Sequence, residues 1–122
     1  MRRRLAGWAT GVILVAVALV ACRQAPVAQE VEQGRAAFVG YGCHTCHSVG
    51  DIRQANARVG PRLDGFADQR IIAGRLPNNP PNLVRFIQNP QEVSPGSAMP
   101  NMNVSDEDAA AIAAYLHSLQ EQ

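Results

Sequence analysis

The stretch Cys43-His44-Thr45-Cys46-His47 separates two thiols by two residues and follows the second at once with an imidazole. Thiols at this spacing can add to the two vinyl groups of one porphyrin, and the next residue then brings an imidazole beneath the iron. This is the attachment pattern of c-type haem. Two other readings of a Cys-x-x-Cys pair need companions: a redox-active dithiol wants a thioredoxin-like βαβ context, and a zinc site wants a second Cys/His pair. The chain supplies neither, since beyond the motif lie only Cys22 and His117, the latter read as an exposed histidine on a terminal helix. Cys43 and Cys46 are therefore expected to carry the haem, His47 to be an axial ligand, and His44 to be a solvent-facing spacer.

Upstream, Arg2, Arg3 and Arg4 precede an apolar run from Leu5 to Val20 that ends in Leu19-Val20-Ala21-Cys22. A basic start, an apolar middle and small residues before a cleavage point make an export signal. The tetrad resembles the lipobox of bacterial lipoproteins, which implies cleavage before Cys22 and lipid on its sulfur. The expected division is a lipoprotein-type signal peptide over 1–21, a tether over 22–30 and the haem domain over 31–122. An uncleaved transmembrane anchor is the alternative, because about 17 apolar residues is the lower limit for a span. Either way the expected location is the bacterial cell envelope, with the haem domain membrane-anchored on the periplasmic or outer side. Past residue 21 there are eight Arg (11 less the three at positions 2–4), no Lys and ten acids, a formal charge of −2. A nucleic-acid binder would show a basic patch or stripe, so that class is set aside.

A domain of this length with 5% aromatics has little to bury, and a large apolar cofactor would supply a missing core. Val31, Gly34, Ala37 and Phe38 fall at helical spacing, with Gly40 and Gly42 as stops before the cysteines. Residues 48–78 show no sustained period and read as loop with a short helix near 67–73. Asn79 caps a helix that opens with Pro80 and Pro81 and must end before Pro90. Ser105, Asp106, Glu107 and Asp108 start a last helix whose apolar stripe is Ala109, Ile112, Ala113, Leu116 and Leu119. No strand-like alternation stands out, and the fold class is all-α: three or four helices and loops wrapped around one covalent haem. Met99 and Met102 are the methionines left to provide a sixth ligand. Met99 lies in the rigid stretch Pro95-Gly96-Ser97-Ala98-Met99-Pro100, and Met102 nearer the final helix.

Taken together, residues 31–119 resemble a class I cytochrome c. Gly34 and Phe38 on one helix, with Ile112 and Tyr115 on the other, echo the family's crossing of terminal helices. Gly60-Pro61-Arg62-Leu63 matches its Gly-Pro-x-Leu element. The resemblance implies that the Pro61 carbonyl accepts the ring N–H of His47, that Leu63 packs on the haem, and that Met99 is the second axial ligand. The run from Gly74 to Pro100, GRLPNNPPNLVRFIQNPQEVSPGSAMP, is similar to the cytochrome c domain fused to subunit II of caa-type oxidases. No copper-binding domain accompanies it, so a free-standing relative is expected. Phe86 stands where relatives carry Trp or Tyr, and Arg70 where a relative's Arg often meets a haem propionate, although an exposed arginine serves equally well there.

What the resemblance implies for function is a monohaem carrier passing single electrons between a quinol-oxidising complex and a terminal oxidase. It would catalyse no bond chemistry itself, because iron with two protein ligands has no open site. The other reading is the cytochrome subunit of a periplasmic dehydrogenase, or a domain that binds a gas when Met99 dissociates.

Overall fold

The computed structural model describes residues 27–120. The expected signal segment, Cys22 and the start of the expected tether lie outside the described residues. Among the described residues helix α1 covers 27–40 and so includes part of the segment expected as tether. Residues 27–30 are all exposed, so that turn rests on the helix propensity of Ala28, Gln29 and Glu30 and not on burial.

Helix α4, Asp106–Ser118, is the other half of the frame, and Ser105 caps it by accepting from the Asp108 N–H. The two helices cross where α1 presents Gly34. A Cβ built there would lie 1.9 Å from the Ala111 carbonyl oxygen and 2.9 Å from Tyr115 Cβ. Glycine is thus what lets one backbone touch the other. One turn on, Phe38 meets Tyr115 edge to face, ring centroids 5.8 Å apart. The buried stripe of α4 is completed by Ala109, Ile112, Ala113 and Leu116.

Helix α2, Pro80–Gln88, is capped by Asn79, whose side chain accepts from the Asn82 N–H. It buries Leu83 and Ile87 and packs against α4. It stops before Pro90, as Pro90 requires, but Pro90 then opens a further short helix, α3, Pro90–Val93. A proline at the first helical position loses nothing, since that N–H has no partner there in any case.

The connecting region differs from expectation. In place of a helix near 67–73 there is a 3-10 turn at Phe66–Asp68, followed by a two-residue antiparallel ladder. In that ladder β1 (Ile71–Ile72) pairs with β2 (Leu76–Pro77) in the register Ile72↔Leu76. The turn between them carries Ala73 at φ 49° and Gly74 at φ 68°, the left-handed pair that a tight hairpin turn demands. The fold is otherwise all-α, and its helices and loops surround one central cavity.

Candidate haem site

Gly42, at φ 76°, ends α1 and turns the chain into a 3-10 segment over Cys43–Thr45. That turn is closed by Thr45 Oγ1 donating to the Gly42 carbonyl at 2.7 Å and by His47 N–H donating to the Cys43 carbonyl at 3.0 Å. It delivers Cys43, Cys46 and His47 together to the wall of a cavity of about 690 Å³, inside the range of roughly 300–1,000 Å³ usual for cofactor sites. The rest of the lining comes from every layer of the fold. Phe38 belongs to α1, Leu83 and Phe86 to α2, Ile112 and Leu116 to α4, and Leu63, Phe66 and Ile72 to the connecting region. None of the lining residues carries a formal charge.

His47 is held from two sides. Its Nδ1 lies 2.9 Å from the Pro61 carbonyl; a carbonyl only accepts, so Nδ1 carries the hydrogen and Nε2 keeps the lone pair that can bind a metal. Beneath the ring is Gly60, where a Cβ would stand 2.5 Å from Cε1 and 2.7 Å from Nδ1. This orientation is the one the Gly60-Pro61-Arg62-Leu63 element led us to expect, and Leu63 lines the cavity.

Cys43 and Cys46 are not joined to each other in a disulfide. Burial pushes the Cys43 thiol up against an opposing backbone hydrogen bond, and proximity to Cys46 adds a lesser rise. Among the described residues there is no group of three or more His, Cys, Asp or Glu able to hold a metal ion.

Met99 and Met102 both reach the cavity lining, so the structure brings together both methionines. Met99 is half-buried, whereas Met102 is 37% exposed. Phe86 lines the cavity, while Arg70 is exposed and stays out of the lining.

Two histidines depart from expectation. His44 is half-buried, with its Nδ1 covered and unpartnered, instead of facing solvent. His117 is likewise half-buried: its Nε2 lies 2.8 Å from Asn78 Oδ1 and its ring 5.9 Å from that of Phe66. Asn78 donates through Nδ2 to the carbonyls of Phe66 at 3.0 Å and Gln69 at 2.9 Å, so its oxygen must accept and His117 Nε2 must carry the hydrogen. The 66–78 loop folds back over the end of α4, as the Ala67 N–H to Leu119 carbonyl bond of 3.0 Å shows. Periodicity on α4 alone could not reveal that cover. Gln91 was also missed. It brackets the 96–99 backbone through its side chain, and nothing in its residue type signals this.

The donor set and the apolar walls fit a haem: two cysteines side by side in one turn, one imidazole with its metal-binding nitrogen free, thioethers at the lining, and no formally charged lining residue. Bound there, haem supplies a one-electron iron couple. An all-α domain closed around such a cavity, with a Cys-x-x-Cys-His turn in its wall, defines a c-type haem protein.

Residues 31–120 match the Cytochrome c family model, and the chain belongs to that family, whose cofactor is covalently bound haem c. Its function as an electron carrier follows from the same membership. Among curated proteins it is 38% identical over 96 residues to the cytochrome c oxidase subunit 2 of Alkalihalophilus pseudofirmus, covering 78% of this chain and 27% of that one. It is 36% identical over 99 residues to the protein of the same name from Bacillus sp. strain PS3, with the same coverage. The chain thus spans about a quarter of the length of these relatives. No solved structure matches significantly.

Proposed function

We propose that this cytochrome c donates single electrons to a terminal oxidase, with Cys43 and Cys46 bonded to the haem and with His47 and Met99 as its axial ligands. The observation that carries this reading is the uncharged cavity to which one wall brings the thiols and an oriented His47 and another segment brings Met99. Two protein ligands leave the iron no position for substrate, which suits exchange of electrons and not of atoms. The similarity to proteins named cytochrome c oxidase subunit 2 supports the oxidase as partner.

The route for the electron is the cavity mouth. Val59, 75% exposed, and Met102, 37% exposed, both line it, together with exposed Ala73, Ala98 and Pro100. The exposed lining also includes the uncharged Thr45 and Gln69. An uncharged rim of this kind lets a partner come within tunnelling range without stripping water from charges. We further propose that residues 1–21 are a signal peptide and that lipid on Cys22 holds the domain to the membrane on the periplasmic or outer side. No helix among the described residues is long and apolar enough to cross a membrane. The intact mass of membrane-extracted protein tests the anchor: a chain beginning at acylated Cys22 supports it, and an unacylated chain retaining Arg2–Ala21 contradicts it.

The oxidase reading is tested by mixing reduced holoprotein with oxidase-containing membranes and following its oxidation. Cyanide-sensitive oxidation is expected, and Val59→Glu should slow it severalfold while leaving the absorption spectrum unchanged. Cyanide-insensitive behaviour, with reduction by a flavin or quinoprotein dehydrogenase, would instead assign the chain to a periplasmic dehydrogenase.

A further inference from the structure

We propose that Gln91 is a positioning residue for the axial thioether, because its side-chain amide fixes the backbone of Met99 and with it the direction in which the sulfur is presented. The proposal rests on the reading of Met99 as an axial ligand.

Gln91 lies on α3 and is exposed, yet its amide meets three backbone groups of one short stretch. Its Nε2 donates to the carbonyls of Ser97 at 2.6 Å and Met99 at 3.0 Å, and its Oε1 accepts from the Gly96 N–H at 3.2 Å. The partners fix the orientation of the amide, since turning it over would set Oε1 against two carbonyl oxygens. The N–H of Met99 in turn donates to Ser97 Oγ at 3.2 Å. Side chains therefore hold both peptide planes that flank Met99. Pro100 follows and confines Met99 to extended backbone. With both planes set, the Cα–Cβ bond of Met99 has one direction.

This stretch has little else to hold it. Among the described residues, the one backbone-to-backbone bond from Pro95 to Asn103 is Ser97 N–H to the Ser94 carbonyl at 3.0 Å. The base from which Gln91 reaches is firm: Pro90 is buried, and Glu92 pairs with Arg85 on α2. Met102 is held on one side only: the N–H of Asn103, in the plane that follows it, donates to Asn101 Oδ1 at 2.8 Å. Among the described residues no hydrogen bond is made by the N–H or carbonyl of Met102 itself, and Asn103 turns away at φ 53°.

The test uses ferric holoprotein and follows the near-red charge-transfer band of methionine-ligated haem through a guanidinium titration, alongside far-UV circular dichroism. The variants are Gln91→Ala, Gln91→Glu and Met99→Ala. Gln91→Glu keeps the length and the acceptor for Gly96 but loses both donors. Both Gln91 variants are expected to keep native dichroism and haem content in buffer. Their band should disappear at a lower denaturant concentration than their helical signal, with the ligand-open fraction raised on the order of tenfold, as the loss of two neutral hydrogen bonds implies. Gln91→Glu should lie at or beyond Gln91→Ala, because its carboxylate faces two carbonyls.

If in both variants the band and the dichroism are lost with the same separation as in wild type, the proposal is wrong. Hydrogen exchange on the wild type reads the bracket without mutation: a protected Gly96 amide is expected, and free exchange would also overturn it. Survival of the band in Met99→Ala would show that the ligand assignment itself has failed, a result distinguishable because Gly96 protection would then persist.

Discussion

At Gly60 a single missing side chain sets the His47 ring, since a Cβ there would stand 2.5 Å from Cε1. Gly60→Ala is therefore expected to push the ring off the Pro61 carbonyl. Loss of that bond lowers imidazole basicity and disfavours the ferric state. Spectroelectrochemical titration should show a higher midpoint potential, and an unchanged potential would mean that the ring is not held as the geometry indicates. His117 makes a second prediction. Burial holds its pKa below the usual histidine value, while the Ala113 carbonyl, which could accept from Nδ1 only in the protonated ring, opposes the shift. A base whose folded pKa is depressed binds protons more readily when unfolded. Its contribution to stability is thus complete above about pH 6.5 and is lost as pH falls from there through the folded value. Holoprotein denaturation should show this loss, and His117→Gln should flatten it; an equal slope in both proteins would remove His117 as its source. Asp64 acts in a lower window. The Gly50 N–H and Arg62 hold its carboxyl below the ordinary range, so that contribution is present above about pH 4 and lost as pH falls through the depressed value.

Among the elements, the crossing of α1 and α4 is where sequence and structure agree most closely, and the cause is physical. Gly34, Phe38 and Ile112 fall on the apolar repeat of long helices, in which a spacing of 3.6 residues marks the buried face. The crossing itself, and the place of Tyr115 in it, come from the family resemblance. Gly34→Ala would drive a methyl into the Ala111 carbonyl, and backbone cannot rotate aside as a side chain can. A loss of about 3 kcal/mol is expected, or roughly 10 to 20 °C in the thermal midpoint of a domain this size. A change below a few degrees would show that the helices are not locked in contact. Tyr115 also ties this crossing to the next loop by donating to Asp51 Oδ1 at 2.6 Å, and Arg35 joins by donating to the Asp51 carbonyl at 2.9 Å. Shorter elements were illegible for the converse reason. A ladder of two residues at Ile71–Ile72 and Leu76–Pro77 is too brief to show alternation, and its turn places Ala73, an unremarkable residue type, in the left-handed region. The haem-attachment motif could be read because its chemistry is local in sequence. The surroundings of His44 and His117 depend on what folds over them, and the bracket at Gln91 depends on where α3 places an ordinary amide.

Over the whole molecule, the hydrophobic core and the cofactor site are one structure. Phe38, Leu63, Phe66, Ile72, Leu83, Ile87, Ile112 and Leu116 are buried core residues and also line the cavity. A domain with 5% aromatics can be stable on these terms because the bound group completes its interior. Seen this way, Cys43, Cys46 and His47 do more than hold a redox centre, and Met99 does more than fill space. In the proposed reading they together enclose the iron and leave the protein to move electrons. The central claim is therefore that the iron is closed by His47 and Met99. Its most direct test is the carbon monoxide difference spectrum of the reduced holoprotein and of its Met99→Ala and Met102→Ala variants. The account predicts no carbon monoxide complex in the wild type or in Met102→Ala, and ready binding in Met99→Ala. Binding by the wild type, or by Met102→Ala alone, would contradict it.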